Sequence, residues 1–548
     1  MREHTVVIPA GGAGVRFREL GRLYPKCTLP HEERAIIWHI AHFALSTDPK
    51  AVYIAVLSED QKVQIEDCLE GINDDRVRVI LVPERDNPVG PATTLYSAFK
   101  AAGLVAEPVF VMLSDGFVDD WPFYRHFVSL GKSGHNLIAV QDIGKEGDPS
   151  RWCMVDFEPE SRAIASFVEK PKKSVLRHAA AGYYYIQSAE EYIRAYLETH
   201  VLGEPQFSQV FSGMMRKGHV FKAPKLQVDP LKNMDFGTLE SYMENRGIYK
   251  SRSFNKIELS PDGTVVKQSV LRPNKIAAEA SWHEHSPLRL YSPRVISKEF
   301  GNAGCYIEMD RCNGILLRDL YLYMDRSSET WKRVFKQIEK FFQRAMDSEE
   351  DLGQPSEFWL DYQSKNKQRL DRLTRVVNFP AFNDKRKLED ALRDHHDRLE
   401  ESVFFHTSSL FHGDLHFGNM FYDLASDRLQ LIDPRGEIYG HWLYDLAKLC
   451  HSVMGRYDFI DAQFYRSIPM KQEAVFYAKN TESVLQEFIS SEPCISLSGS
   501  ERRLIVEMTA FLFLTMIPLH TDNQLNQRLM YNEFWRLLEE SKLQGDDE

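Results

Sequence analysis

Five short apolar runs rich in β-branched residues, TVVIPA, AVYIAVL, VRVILVP, PVFVML and NLIAVQ, recur through the first part of the chain with helical patterns between them. Strands spaced in this way are joined by crossovers, and crossovers build a parallel sheet with helices on both faces. Ligands of such sheets sit at the carboxyl ends of the strands, so the loops after these runs are where chemistry is expected. The pattern stops near 246–253, in a polar stretch rich in Lys, Arg and Ser. A new one then begins with KIELSPDGTVVKQSV, which reads as strand, turn, strand with Asp262-Gly263 as the turn signal. Mostly amphipathic helices follow. The expectation is an α/β chain with a first domain over 1–245, a linker over 246–252 and a second domain over 253–548, in which a small sheet precedes a large helical lobe.

At 548 residues the chain is too long for one core, and with 43% apolar and 27% charged residues it has the composition of a folding chain. Its 67 Lys and Arg against 79 Asp and Glu give a net charge of −12, a field that repels polyanions and argues against nucleic acid as partner. Small phosphates are not excluded, because a few local donors and a metal ion bind them whatever the global sign. The seven cysteines are scattered and form no CxxC, so neither a disulfide framework nor a zinc cluster is expected, and a reducing cytoplasm fits. MREHTVVIPAGG lacks a secretory apolar region. The longest apolar stretch, 508–519, is broken by Pro518 and reads as a buried helix, so no membrane insertion is expected. Assembly into a homo-oligomer is compatible with all of this.

The first strand runs directly into Ala10-Gly11-Gly12-Ala13-Gly14-Val15-Arg16-Phe17, followed by Pro25-Lys26. Glycines at such a turn let backbone N–H groups approach an anion, and Arg16 and Lys26 add the cations that a triphosphate needs. Asp115 ends a later strand in Leu113-Ser114-Asp115-Gly116, and Asp235-Phe236-Gly237-Thr238 supplies a second acid. Two strand-end carboxylates offer hard oxygens for Mg²⁺. Between them lie Glu169-Lys170-Pro171, whose amine suits a phosphorylated substrate, and Gly182 before an aromatic strand.

Together these elements resemble the nucleotidyltransferases that make sugar nucleotides and CDP-alcohols. The resemblance implies a Rossmann-like mixed, mainly parallel sheet. It also implies that Gly11, Gly12 and Gly14 hold the nucleotide, Arg16 and Lys26 its phosphates, Asp115 and Asp235 Mg²⁺, and Glu169, Lys170 and Gly182 the acceptor. The segment 87–92 looks like the family's base and ribose loop, with Gly90 in place and Pro91 where that family usually has Thr.

In the second domain His412-Gly413-Asp414-Leu415-His416-Phe417-Gly418-Asn419 precedes Leu431-Ile432-Asp433. One short loop then places an acid beside a hydroxyl nucleophile and an amide oxygen on a metal, which Asp433 shares. A zinc site at His412 and His416 is the competing reading, but it has no HExxH and no Cys partner nearby. The stretch resembles small-molecule kinases of the aminoglycoside phosphotransferase and choline kinase type, and so implies a bilobal, protein-kinase-like α+β domain. By that resemblance Asp414 is the catalytic base, Asn419 and Asp433 bind Mg²⁺, and Lys267 holds the α- and β-phosphates of ATP. Glu279 would pair with Lys267, with Glu284 as the other acid of that helix, while Glu308 and Met309 enter the hinge that meets adenine. Asp445 reads as a structural acid. Trp282, His283 and His285, the run Tyr183 to Tyr185, and Phe341 and Phe342 read as packing.

The expectation for function is a bifunctional enzyme. ATP phosphorylates a small hydroxyl compound, a sugar, polyol or amino alcohol, and the phosphate ester then takes a nucleotidyl group from CTP or UTP. The NDP-activated unit would feed surface or capsule polysaccharide or lipid head-group synthesis. A choline-like acceptor calls for an aromatic cage, for which Trp359, Tyr362 and Tyr439 are candidates. The alternatives are two modules with unrelated substrates, or a nucleotide-sensing regulator with one inactive module.

Overall fold

The structure, a computed structural model, describes residues 4–245 apart from 13, 33, 83–89, 145–146, 200–203, 227 and 230–231, and residues 256–543 apart from 260–262, 270–272, 302–303, 377–384, 469–472 and 521–522. The expected linker at 246–252, Asp262 of the hairpin turn and 87–89 of the base loop lie outside the described residues. The chain divides into two compact units, Met1–Gly247 and Ile248–Glu548.

The first unit opens with β1 (Thr5–Pro9), α1 (Ile36–Ser46), β2 (Val52–Val56), β3 (Val77–Leu81), α2 (Pro91–Ala101) and β4 (Val109–Met112). β1 pairs in parallel with β2 and β4, and β2 with β3. β1 is buried along its whole length, as a central strand covered on both faces must be. α1 turns Ile36, Ile37, Ile40 and Ala44 inward, and α2 contributes Leu95 and Phe99 to the core.

Next come β5 (Gly116–Val118), β6 (Asn136–Asp142), β7 (Cys153–Phe157), β8 (Ile164–Glu169), β9 (His178–Ile186), α3 (Phe207–Arg216), β10 (Phe221–Lys222) and β11 (Asn233–Asp235). The sheet order is β8-β7-β9-β4-β1-β2-β3, with β6 between β9 and β10. β9 runs antiparallel to β4, and the NLIAVQ run, β6, pairs antiparallel to β9, so β6 keeps the direction of the parallel set but is separated from it by the reversed β9. The sheet is therefore mixed. β5 and β11 form a separate antiparallel ladder that puts Asp235 opposite Gly116.

The second unit begins with β12 (Lys256–Leu259), β13 (Thr264–Ser269), α4 (Pro273–His285), β14 (Val295–Gly301) and β15 (Gly304–Asp310). The strands form an antiparallel sheet in the order β12-β13-β15-β14. α5 (Ser328–Met346) buries Trp331, Val334, Phe335, Ile338, Phe341, Phe342 and Ala345, a stripe at three- and four-residue spacing. α6 (Glu357–Val376), α7 (Lys385–Glu401), α8 (Trp442–Val453), α9 (Gly499–Met516) and α10 (Gln524–Leu543) are the other long helices of this unit. α9 starts on a capping box between Ser498 and Glu501 and buries Leu504 to Thr515. The apolar stretch around Phe511 is thus core, and among the described residues no helix is long and apolar enough to cross a membrane. All seven cysteines are free thiols.

Candidate active sites

In the first unit a cavity of about 740 Å³ opens at the carboxyl ends of β1 and β4, and every residue singled out there from the sequence lines it. Gly11, Gly12, Gly14 and Arg16 form the loop side together with Lys26. Gly90 caps α2, and Glu169, Lys170 and Gly182 close the far side. Gly14 has φ +64°, and a Cβ there would lie 2.7 Å from the carbonyl oxygen of Gly21, so only glycine fits. Gly182, at φ +86°, sits where the β9–β6 register shifts, and its carbonyl accepts from Leu113 N–H at 3.0 Å.

The carboxylates of Asp115 and Asp235 converge. A Cβ placed on Gly237 would be 3.0 Å from Asp235 Oδ1 and 3.6 Å from Asp115 Oδ2. Each acid is met by a cation: Lys26 Nζ lies 2.6 Å from Asp115 Oδ2, and Arg151 Nη2 lies 2.6 Å from Asp235 Oδ2. Burial works against ionising Asp115, but Lys26, with Arg16 beyond it, overcomes this and holds the carboxyl below its usual range. Asp235 goes the other way: burial and then the neighbouring Asp115 charge push it up, although Gly237 N–H donates to Oδ1 at 2.9 Å. Two hard carboxylates that raise each other's ionisation cost form a donor set that suits Mg²⁺. Glu169 accepts from Ser208 Oγ at 2.9 Å, and Lys170 Nζ stands 3.6 Å from Glu169 Oε1.

In the second unit Lys267 Nζ donates to both oxygens of Glu279, at 2.9 and 2.7 Å, and also meets Asp433 Oδ1. Burial opposes the charge on Glu279, and His283 and Lys267 together hold its carboxyl below the usual range. Glu284, the other acid of α4, pairs with Lys298 instead. The loop 411–419 follows β16 (Ile315–Leu316) and β17 (Thr407–Leu410) in the chain and leads into β18 (Met420–Asp423), which pairs with β16 and with β19 (Arg428–Leu431). Asp445 organises this loop by accepting the backbone N–H groups of His412 at 2.6 Å and Gly413 at 2.7 Å. Burial pushes its carboxyl up to about 7 against those two donors. Asn419 Nδ2 donates to the backbone carbonyl of Asp414 at 2.9 Å and to its Oδ2 at 3.1 Å. That leaves the Asn419 amide oxygen and the Asp433 carboxylate as hard donors, which also suit Mg²⁺. Among the described residues no group of three or more His, Cys, Asp or Glu is arranged to hold a metal. His412 is instead buried against Trp282, and burial lowers its imidazole to about 3.

Glu308 and Met309 follow Ile307, the residue opposite Lys267 in the β13–β15 ladder. They lie inside β15, which pairs on both sides, and the Glu308 carboxylate accepts from Thr264 and Ser297. The first backbone beyond that strand is Arg311 to Asn313. Of the candidate cage residues, Trp359 and Tyr362 meet edge to face with ring centroids 5.7 Å apart. Trp359 and Tyr362 are buried, donating to Phe404 O and bonded to His395, whereas Tyr439 is 64% exposed.

Two cations in these sites escape a reading of the sequence. Arg151 lies in a 3₁₀ turn capped by Asp148, and nothing in DPSRW marks it. Lys448 Nζ lies 2.9 Å from Asp414 Oδ1. Its position three residues after Asp445 on a helix was the available signal, because that spacing puts both on one face.

A model of the nucleotidyl transferase family matches residues 5–251, and one of the phosphotransferase enzyme family matches residues 257–468. The chain is 28% identical over 188 residues to mannose-1-phosphate guanyltransferase beta-B of Xenopus laevis, covering 33% of this chain and 49% of that protein. It is also 28% identical over 182 residues to mannose-1-phosphate guanylyltransferase 1 of Arabidopsis thaliana, covering 32% and 48%. The chain therefore spans about half the length of these relatives. The solved structure of a UTP-bound UGPase from Acinetobacter baumannii aligns with 46% of this chain and 95% of its own at 18% identity and a TM-score of 0.38. The chain joins a nucleotidyl transferase family domain, through its first unit, to a phosphotransferase enzyme family domain in its second.

Proposed function

We propose that the chain catalyses two consecutive phosphorus transfers. In the second unit the hydroxyl of R–OH attacks the γ-phosphorus of ATP, Asp414 takes the hydroxyl proton, and ADP leaves. In the first unit an oxygen of R–O–phosphate attacks the α-phosphorus of a second NTP in line, and pyrophosphate leaves with NDP–R as product. Lys26, Arg16 and Arg151 face the charge that accumulates on the triphosphate, and Lys170 faces the ester. Asp115 with Asp235, and Asn419 with Asp433, would hold Mg²⁺, which when bound neutralises phosphate charge.

The observation that carries this reading is the convergence, in one cavity of about 740 Å³, of the glycine loop, the Asp115 and Asp235 pair and Lys170. The relatives' names support a sugar as R, because they join a nucleotide to mannose 1-phosphate. CTP and UTP are the donors favoured from the sequence, and those same names put GTP beside them. The NDP-activated unit would serve surface polysaccharide or lipid head-group assembly in a reducing cytoplasm, a compartment with which the free thiols are consistent.

The test is mass spectrometry of products after incubating the chain with Mg²⁺, ATP, CTP, UTP, GTP, dTTP and a pool of sugars, polyols and amino alcohols. A new NDP–R mass is the expected result and identifies base and R together. Phosphorylated R without NDP–R would keep the kinase and reject the coupled reading.

A further inference from the structure

The sequence of the catalytic loop has no Lys or Arg between Leu410 and Asp427, yet phosphoryl transfer gathers negative charge around its base. The cation comes from α8. Lys448, whose side chain is 11% exposed, places Nζ 2.9 Å from Asp414 Oδ1. The other carboxylate oxygen, Oδ2, accepts from Asn419 and lies 3.7 Å from His416 Nε2. Because His416 Nδ1 accepts the N–H of Gly418 at 3.1 Å, its proton sits on Nε2, toward Asp414.

The same helix turn carries Asp445, which grips the loop backbone through His412 and Gly413. α8 therefore anchors the loop twice, once at its main chain and once at the reactive carboxylate. Only the ammonium is nearly buried, while the Asp414 side chain keeps 36% of its surface exposed, and desolvating that ammonium offsets much of the attraction, so the pair adds little to stability. What the pair does well is fix one carboxylate rotamer.

We propose that Lys448 is a positioning residue for phosphoryl transfer in the second unit, acting through Asp414; this rests on the kinase reading above. Lys448 holds Oδ1, so that the carboxylate is oriented before the acceptor arrives. The hydroxyl oxygen then bonds to the γ-phosphorus as the bond from that phosphorus to the β,γ-bridging oxygen breaks. The proton passes to Asp414, ADP carries away the electron pair, and Lys448 keeps its protons throughout.

The experiment uses the full chain with Lys448→Met, Lys448→Arg and Asp414→Asn, each incubated with Mg²⁺, ATP and a pool of monosaccharides. ADP release is followed against ATP concentration, and thermal midpoints and Mg-ADP binding are measured alongside. Lys448→Met is expected to lower kcat about 10²- to 10³-fold, the scale of a lost preorganised charge. The KM for ATP should stay within about twofold, because uniform nucleotide binding is untouched. Lys448→Arg should recover about tenfold or more of that loss, since a guanidinium still reaches a carboxylate. Retention of the wild-type kcat in Lys448→Met overturns the proposal. So does a loss of kcat matched by lost Mg-ADP binding, a lowered thermal midpoint and no rescue by Arg, which marks a structural lysine. If the wild-type chain releases no ADP yet makes NDP–R from supplied phosphate esters, the kinase reading itself falls, and this proposal falls with it.

Discussion

Asp235 reaches Asp115 through strand register: it stands opposite Gly116 in the β5–β11 ladder, one residue from Asp115, so the two carboxylates converge. Replacing Asp235 by Asn keeps an oxygen for the Gly237 N–H but removes one of the two metal-attracting charges. Pyrophosphate release from NTP and a supplied sugar phosphate should fall about 10²- to 10³-fold, as for loss of a charge aimed at a transferring phosphoryl group. ADP release should be unchanged, because Asp235 belongs to the first unit. If both activities vanish while the chain stays folded, the two reactions do not have separate centres.

Arg151 competes with any cation for Asp235. Its guanidinium is 39% exposed and 2.6 Å from Oδ2, and a pair of that exposure contributes at most about 1 kcal/mol. Arg151→Gln should therefore tighten Mn²⁺ binding at this site by about two- to fivefold. The NDP-forming rate should drop, since a phosphate-facing cation is gone. Calorimetric titration of Mn²⁺ into a chain that also carries Asp433→Asn isolates the first site, and an unchanged or weaker affinity would count against the competition.

The glycine loop, the two strand-end acids and the HGDLHFGN loop were legible because each is a local string whose backbone or spacing carries the chemistry. The Lys267–Glu279 pair was legible for the related reason that a strand and the next helix bring them together. Arg151 and Lys448 were not, because each becomes functional only through a partner fixed by tertiary contact. The NLIAVQ run, β6, keeps the direction of the parallel set, but the insertion of β9 between it and β4 was not legible, because strand periodicity fixes which faces are buried and not which strand lies alongside. Glu308 and Met309 were legible as the end of a strand, which runs on through them to Asp310. Burial of Trp359 and Tyr362 was not legible, because Trp and Tyr in a helical lobe are as readily core as binding surface.

Gly14→Ala tests the nucleotide loop. The left-handed conformation costs an L-residue about 1–2 kcal/mol, and the added methyl would press on the Gly21 carbonyl at 2.7 Å. The loop must shift, so NDP–R formation should fall at least about tenfold, chiefly through the KM for the NTP. Kinase turnover should be unaffected. Wild-type NTP dependence in this variant would show that the loop does not cradle phosphate.

His441 links pH to the kinase unit. It caps α8, the helix that bears Asp445 and Lys448. Its Nδ1 accepts from Leu443 N–H at 3.1 Å, and Nε2 bonds Thr407 Oγ1 at 2.8 Å. Burial lowers its imidazole to about 3, against 6.5 for the unperturbed group. A depressed folded-state value means that the unfolded chain binds the proton first. The stability due to neutral His441 is thus present above pH 6.5 and is lost progressively as pH falls from there toward about 3. One such group contributes a slope approaching about 1.4 kcal/mol per pH unit. His412 adds in the same direction. His441→Asn retains a helix-capping oxygen without a titrating ring. Urea unfolding of the variant between pH 8 and about 4.5 should therefore show an acid limb shallower than wild type by about one proton. Parallel limbs would mean that His441 is protonated in the folded chain, which its Nδ1 acceptor role forbids.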